Sequence, residues 1–304
     1  MRYIGVDIGG TKCAVVYGDE NGNILKKERF YTNNPKDDIA KIIGIAKHMG
    51  EADAIGISCG GPLDEEKGII MSPPNLPGWD DIHITEILEK ELGVPAYLCN
   101  DANACAIAEW QFGAGRGSNN MAFLTFGTGL GAGLILNGKL YSGAKGMAGE
   151  VGHIRLSDFG PVGYGKKGSF EGFCSGGGIA QLAEMMAKEK QQMGIEVPWA
   201  KEKITAKVVA DAAKEGDTLA KEVYKICGEK LGEGLSILID ILALDKIVIG
   251  SIFQRCEDLL RPAMERVINK EVLSQNLDCK IVAAKLGDNI GDYAALAVAK
   301  IGKE

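Results

Sequence analysis

Short apolar runs alternate along the chain with longer stretches in which apolar positions recur every three or four residues. The runs at 3–8, 13–18, 54–58, 96–99, 121–126, 132–136, 246–250 and 280–284 predict β-strands. The longer pattern over 36–50, 81–92, 102–112 and 218–243 predicts helices. Strands and helices mixed from end to end define an α/β class. Two segments share one layout. Ile4–Leu25 and Phe123–Tyr141 each read as strand, Gly/Thr turn, strand, then an Asn-Gly or Gly-Asn turn, and each predicts a hairpin whose glycine-rich tip offers backbone N–H groups and a threonine hydroxyl. Either tip alone reads equally well as an ordinary tight turn; two of them point to a clamp on a polyphosphate. Strand rather than helix follows the glycines, which sets aside a Walker A loop and a dinucleotide-binding G-x-G-x-x-G.

A length of 304 residues fits two domains. The glycine-rich stretch 113–118 suggests a division into 1–115 and 116–304, with the last helix packing back on the N-terminal part. With 46% apolar and 25% charged residues the chain can bury a sizeable core without staples, and a net charge of −7 gives it no attraction to nucleic acid or an anionic membrane. No leader and no run of about 18 apolar residues is visible, so a cytoplasmic protein is expected. Eight scattered cysteines without a C-x-x-C pair read as buried, reduced thiols. His48 and His83 lie in polar surroundings and are expected to be solvated.

Several polar residues stand where chemistry could use them. Asp7 ends the first predicted strand beside Gly9-Gly10-Thr11, either as a turn-capping carboxylate or as a holder of a hydrated Mg²⁺. Asp101 lies at a strand-to-helix junction, where an aspartate is either an N-cap or, facing outward, a general base; the dipeptide alone favours the cap. Asn75 sits among Pro73, Pro74 and Pro77, as a turn residue or as an amide on a stiffened loop. Glu150 and His153 share a face if their segment is helical.

Taken together, DIGGTK at 7–12, SPPNLPGW at 72–79, NDANA at 100–104, FGTGLGAGL at 126–134 and EVGH at 150–153 resemble, in order and spacing, the ROK family of sugar kinases and related regulators. The resemblance runs from Tyr3 to the final helix. It implies an actin/hexokinase-like (ribonuclease H-like) fold of two α/β lobes, with ATP and sugar meeting in a central cleft. It also implies a first phosphate loop of Asp7, Gly9, Gly10, Thr11 and Lys12, with Asp7 holding Mg²⁺ through water, a second at Thr128 and Gly129, and Gly250 against the adenosine. Asn75, Asn100, Asp101, Glu150, His153 and Glu171 match the family's sugar contacts, with Asp101 as the base. The implied activity is ATP-dependent phosphorylation of a neutral hexose at its hydroxymethyl group, glucose first, with N-acetylmannosamine, N-acetylglucosamine or fructose as alternatives, in a homodimer. The lack of an arginine cluster argues against an already phosphorylated sugar. Regulators of the family carry a DNA-binding segment ahead of this fold, and no such segment is expected here; a sugar sensor without that segment is the non-enzymatic alternative.

One stretch departs from the family pattern. Where many members have a C-x-C-G-x-x-G-C-x-E zinc loop, Val162, Tyr164 and Ser169 replace the three cysteines, while Gly165, Gly168 and Glu171 remain. Structural zinc is not expected, and packing by Tyr164, Phe170 and Phe173 is expected to hold the loop.

Overall fold

The computed structural model describes residues 1–303. The chain opens with β1 (Arg2–Ile8), β2 (Lys12–Asp19), β3 (Ile24–Tyr31), α1 (Pro35–Met49) and β4 (Ala54–Cys59). Three short strands, β5 (Leu63–Asp64), β6 (Ile69–Ile70) and β7 (Ile82–His83), precede α2 (Ile84–Leu92), β8 (Ala96–Asn100) and α3 (Asp101–Phe112). Then come β9 (Met121–Phe126), β10 (Leu130–Leu136), β11 (Lys139–Leu140), β12 (Val162–Gly163), β13 (Lys166–Lys167), α4 (Phe170–Phe173) and α5 (Gly176–Gln192). The remainder is α6 (Ala206–Lys214), α7 (Thr218–Leu242), β14 (Lys246–Ile249), α8 (Ile252–Glu271), β15 (Lys280–Ala283) and α9 (Ile290–Lys303). None of these helices is long and apolar enough to cross a membrane.

The chain forms two compact units. The first comprises Met1–Ser118, Gly133–Ala148 and the chain from Lys285 onward; the second comprises Asn119–Ala132 and Gly149–Ala284. In the first, the strand order is β3-β2-β1-β4-β8, antiparallel between β1, β2 and β3 and parallel from β1 through β4 to β8. The other five-stranded sheet runs β11-β10-β9-β14-β15, the same third-second-first-fourth-fifth order, so the resemblance between the two hairpin segments extends to topology. Its β10–β11 connection is the Asn137-Gly138 turn, with φ of 53° and 68°, the left-handed pair that a two-residue hairpin demands.

Sequence patterning misses β3, because Lys26, Lys27, Glu28 and Arg29 make an exposed, charged edge without alternation. Charge on an edge strand is a device against unwanted pairing, and it hides the strand from a hydrophobicity reading. The helix expected from 81 begins at Ile84, since Ile82 and His83 pair with β6. Helix α1 starts where Asn34 accepts a bond from the Asp37 N–H at 3.0 Å and Pro35 fills the first turn.

Strand alternation gives the first sheet two different faces. Ile4, Val6 and Ile8 join Ile42, Met49 and Leu88 in the larger core on one side. Tyr3 and Val16 meet Leu296 and Ala299 of α9 on the other. That second contact is unusually close. An added Cβ on Gly5 would stand 2.9 Å from the Ala295 Cβ, and one on Gly56 would overlap the backbone of Ala295 and Ala299. Glycine on the strands and alanine on the helix let the two backbones approach, and the α9 N-terminus is thereby set beside the end of β1.

Gly56→Ala is therefore expected to cost about 1–3 kcal/mol or more of stability. Gly44→Ala, in the middle of α1 with open space around it, should instead gain about 0.5–1 kcal/mol. Urea unfolding of the two variants beside the parent tests both signs.

Candidate functional site

Strands β1 and β2 are joined by Gly9-Gly10-Thr11, closed by the Gly9 N–H donating to the Lys12 carbonyl at 3.1 Å. The N–H groups of Gly10 and Thr11 have no partner among the described residues. The tip thus offers two adjacent free N–H donors, the kind of group that receives anions. Lys12 is exposed and lies 5.3 Å over the Tyr31 ring. Gly10 is pressed against the loop carrying Asn75: an added Cβ would come within 2.8 Å of the Asn75 Cβ.

Asp7 closes β1 on the face turned to α9, with Gly291 so near that an added Cβ there would stand 2.6 Å from Asp7 Oδ2. Burial, reinforced by the neighbouring carboxylates of Asp292 and Asp101, pushes the Asp7 carboxyl up to about 6, against the pull of Arg29 and a bond from Ser58. Asp292 is fully buried and paired with Lys27 and, at 3.3 Å, with Arg29. Sequence reading passed over Asp292, although a charge between Gly291 and the apolar run Tyr293–Val298 is a visible signal.

Asp101 is the first residue of α3, and the cap position belongs to Asn100, whose side-chain oxygen accepts the Ala102 N–H at 3.0 Å. One Asp101 oxygen also lies 2.8 Å from that N–H. The other faces the Gly60 backbone, 3.8 Å from where a Cβ would stand. The carboxylate is open to solvent, yet protein crowds it enough for desolvation to raise its pKa above the ordinary carboxylate value. Asn100 is held from behind, its N–H donating to Glu65 Oε1 at 2.7 Å. Glu65 is itself raised by burial and was invisible in the sequence, because its contact spans 35 residues.

Asn75 is exposed at the tip of a loop anchored by buried Leu76 and Trp79. Backbone bonds from Ser72 N to the Trp79 carbonyl and from Leu76 N to the Pro73 carbonyl tie its ends. The prolines and the anchors together present the amide outward. His48 and His83 are both exposed.

The second unit holds the other hairpin tip. Gly127 N donates to the Gly129 carbonyl at 3.0 Å, and the Gly127 carbonyl accepts from Gly176 at the start of α5. Thr128 is exposed at this tip. Glu171 reaches the same loop, with Oε2 2.9 Å from the Leu130 N–H. Glu150 precedes a single 3-10 turn, Val151–His153, and the expected shared helical face is therefore only this one turn. His153 lies edge-on to the Tyr164 ring at 5.3 Å, and its carbonyl accepts a bond from Lys166. Gly250 is buried between β14 and α8, its N–H on the Leu124 carbonyl at 3.0 Å. Ser251 follows with φ of 58° and closes a capping box with Gln254.

The stretch that departs from the zinc-loop pattern folds as a hairpin of β12 and β13 around Tyr164 and Gly165, both with positive φ. Ser169, in place of the third cysteine, is buried and caps α4 by accepting the Gly172 N–H at 3.0 Å. The Gln181 amide bonds both backbone groups of Val162, at 3.0 and 2.9 Å. Packing contributes less than expected: Phe170 and Phe173 are buried, but Tyr164 is 80% exposed. With Tyr164 left exposed, hydrogen bonds through Ser169 and Gln181 take the place of the third aromatic. Among the described residues, no three histidine, cysteine or acidic side chains converge on a metal position.

Two sheets of one strand order, each with a glycine-rich tip between its first two strands, define the actin/hexokinase class of fold. Within that class the chain belongs to the ROK family, whose model matches residues 3–301. It is 33% identical to a glucokinase of Thermotoga maritima over 309 aligned residues, covering 99% of this chain and 98% of that one. A ROK hexokinase from Thermus thermophilus superposes with a TM-score of 0.84 at 27% identity, over 99% of each chain. A ROK family glucokinase from Streptomyces griseus in complex with glucose and AMPPNP superposes at 0.77 with 28% identity, over 99% of this chain and 100% of that one.

The raised pKa of Asp101 sets a sign for stability. A carboxyl that resists ionisation in the folded state favours folding at low pH and loses that contribution as pH rises through its folded pKa. Asp101→Asn should therefore melt above the parent at pH 7, with the gap closing toward about pH 4. Thermal melts across that range check it, and an unchanged gap would contradict the desolvated setting.

Proposed function

We propose that the protein transfers the γ-phosphoryl group of ATP to the hydroxymethyl group of a neutral hexose, with glucose the preferred acceptor. The observation that carries this reading is Asp101: a neighbouring residue takes the helix cap, and a solvent-accessible carboxylate of raised proton affinity remains. Such a group accepts a hydroxyl proton more readily than an ordinary aspartate does. The kinship with proteins named glucokinase, one of them solved with glucose and AMPPNP, supports the choice of sugar and donor.

In this reading the free N–H groups of Gly10 and Thr11, with Lys12, receive phosphate oxygens, and Thr128 and Gly129 do the same at the second tip. Gly250 lies against the adenosine. Asn75, Asn100, Glu150, His153 and Glu171 bond the sugar hydroxyls, and Asp101 takes the proton of the attacking one. Mg²⁺ would supply charge neutralisation between the phosphates. Asp7 fits it: a half-buried carboxylate with two like-charged neighbours and a pKa near 6 gains from a nearby cation. The hairpin at 162–167 is taken to fold without zinc, since its bonds come from the backbone, Ser169 and Gln181.

An ADP-release assay over glucose, fructose, mannose, N-acetylmannosamine and N-acetylglucosamine tests the reading. Glucose should give the highest kcat/KM, and Asp101→Asn should lose about 10²–10⁴-fold in kcat while still binding Mg·AMPPNP. No sugar-dependent ADP release would end the kinase reading, and a preference for another sugar would end only the choice of glucose. The acid limb of kcat/KM is expected above the ordinary aspartate value of about 3.9, because the base must be ionised. Stoichiometric zinc in metal analysis of the purified protein would overturn the zinc-free hairpin.

A further inference from the structure

We propose that Thr32 is a positioning residue for the nucleotide, setting the orientation of the peptide between Gly9 and Gly10. The proposal rests on the reading of Gly9–Lys12 as a phosphate loop. Thr32 follows β3 and grips that loop twice. Its N–H donates to the Thr11 carbonyl at 3.1 Å, and its hydroxyl donates to the Gly9 carbonyl at 2.6 Å. In a simple two-residue hairpin turn the Gly9 carbonyl would accept the Lys12 N–H; here the Thr32 hydroxyl takes it.

The consequence follows from peptide planarity. In a trans peptide the carbonyl and the next N–H point in opposite directions. Holding the Gly9 carbonyl toward Thr32 turns the Gly10 N–H to the opposite side, where it has no partner among the described residues. The Gly10 Cα is walled by Asn75, so the loop cannot relieve a lost bond by swinging that way. Thr32 lies 23 residues from Gly9 and bonds only carbonyls of the loop, not the N–H groups read as phosphate donors; it acts by paying in advance the cost of orienting one donor. Cys13 Sγ, 3.5 Å from the hydroxyl, completes its surroundings.

The test compares Thr32→Val, which keeps the shape and removes the donor, with Thr32→Ser, which keeps the donor. Binding of Mg·AMPPNP and of glucose is measured by calorimetry, with thermal melts alongside. Thr32→Val should weaken Mg·AMPPNP roughly tenfold, the net worth of about one hydrogen bond, with glucose affinity unchanged. Thr32→Ser should retain parental nucleotide affinity. Parental nucleotide binding in Thr32→Val overturns the proposal. So does an equal loss for both ligands, or a loss that serine does not rescue, since either marks general packing. A parent protein that binds glucose but no nucleotide would instead overturn the phosphate-loop reading beneath it.

Discussion

The approach of α9 to the first sheet is the constraint on which the rest depends. Because Gly5 and Gly56 have no side chains and Ala295 and Ala299 have small ones, helix and strands pack backbone to backbone. That depth places Gly291 against Asp7 and Asp292 beside it. A helix standing off by one methyl group would leave the end of β1 more hydrated, and the Asp7 carboxyl would then sit nearer its ordinary range. The electrostatics of the first loop thus begin with the choice of glycine at two strand positions under α9.

The acidic residues fall into two kinds that composition cannot separate. Glu109 and Asp38 are buried and spent on backbone donors: Glu109 takes the N–H groups of Ala114, Lys285 and Leu286, and Asp38 takes that of Asn33. Such carboxylates serve as fasteners. Asp7 and Asp101 are under-bonded for their surroundings, and desolvation drives both toward the neutral form, Asp7 within the protein and Asp101 at a solvent-facing but crowded spot. A carboxylate left short of partners in a desolvated place stores electrostatic cost, and a bound proton or cation releases it. The distinction lies in the remaining acceptor capacity, which no residue name conveys.

Legibility in the sequence followed the range of each interaction. The two glycine-rich tips, the Asn100–Asp101 junction and the proline-stiffened loop at Asn75 are local, and their residues lie within a few positions of one another. Their motifs also brought the family and the fold class into view. What escaped was non-local or masked: β3 by its surface charges, Thr32 by a 23-residue separation from its acceptor, Glu65 by its distance from Asn100, and Asp292 by its remote cationic partners. The expectation for Tyr164 failed for another reason. Aromatic character signals packing, whereas Tyr164, at a left-handed turn position, stays exposed.

The division of labour at Asn100 and Asp101 reaches beyond this chain's own chemistry. Since Asn100 supplies the cap hydrogen bond, Asp101, the proposed base, can change without unwinding the helix it begins. On the proposed reading, loss of reactivity and loss of shape are separate events at this junction. With Asp101 as the base, as proposed, a lineage built on this junction could give up turnover by one substitution and keep an intact receptor for the same small molecule, free to be read by something else.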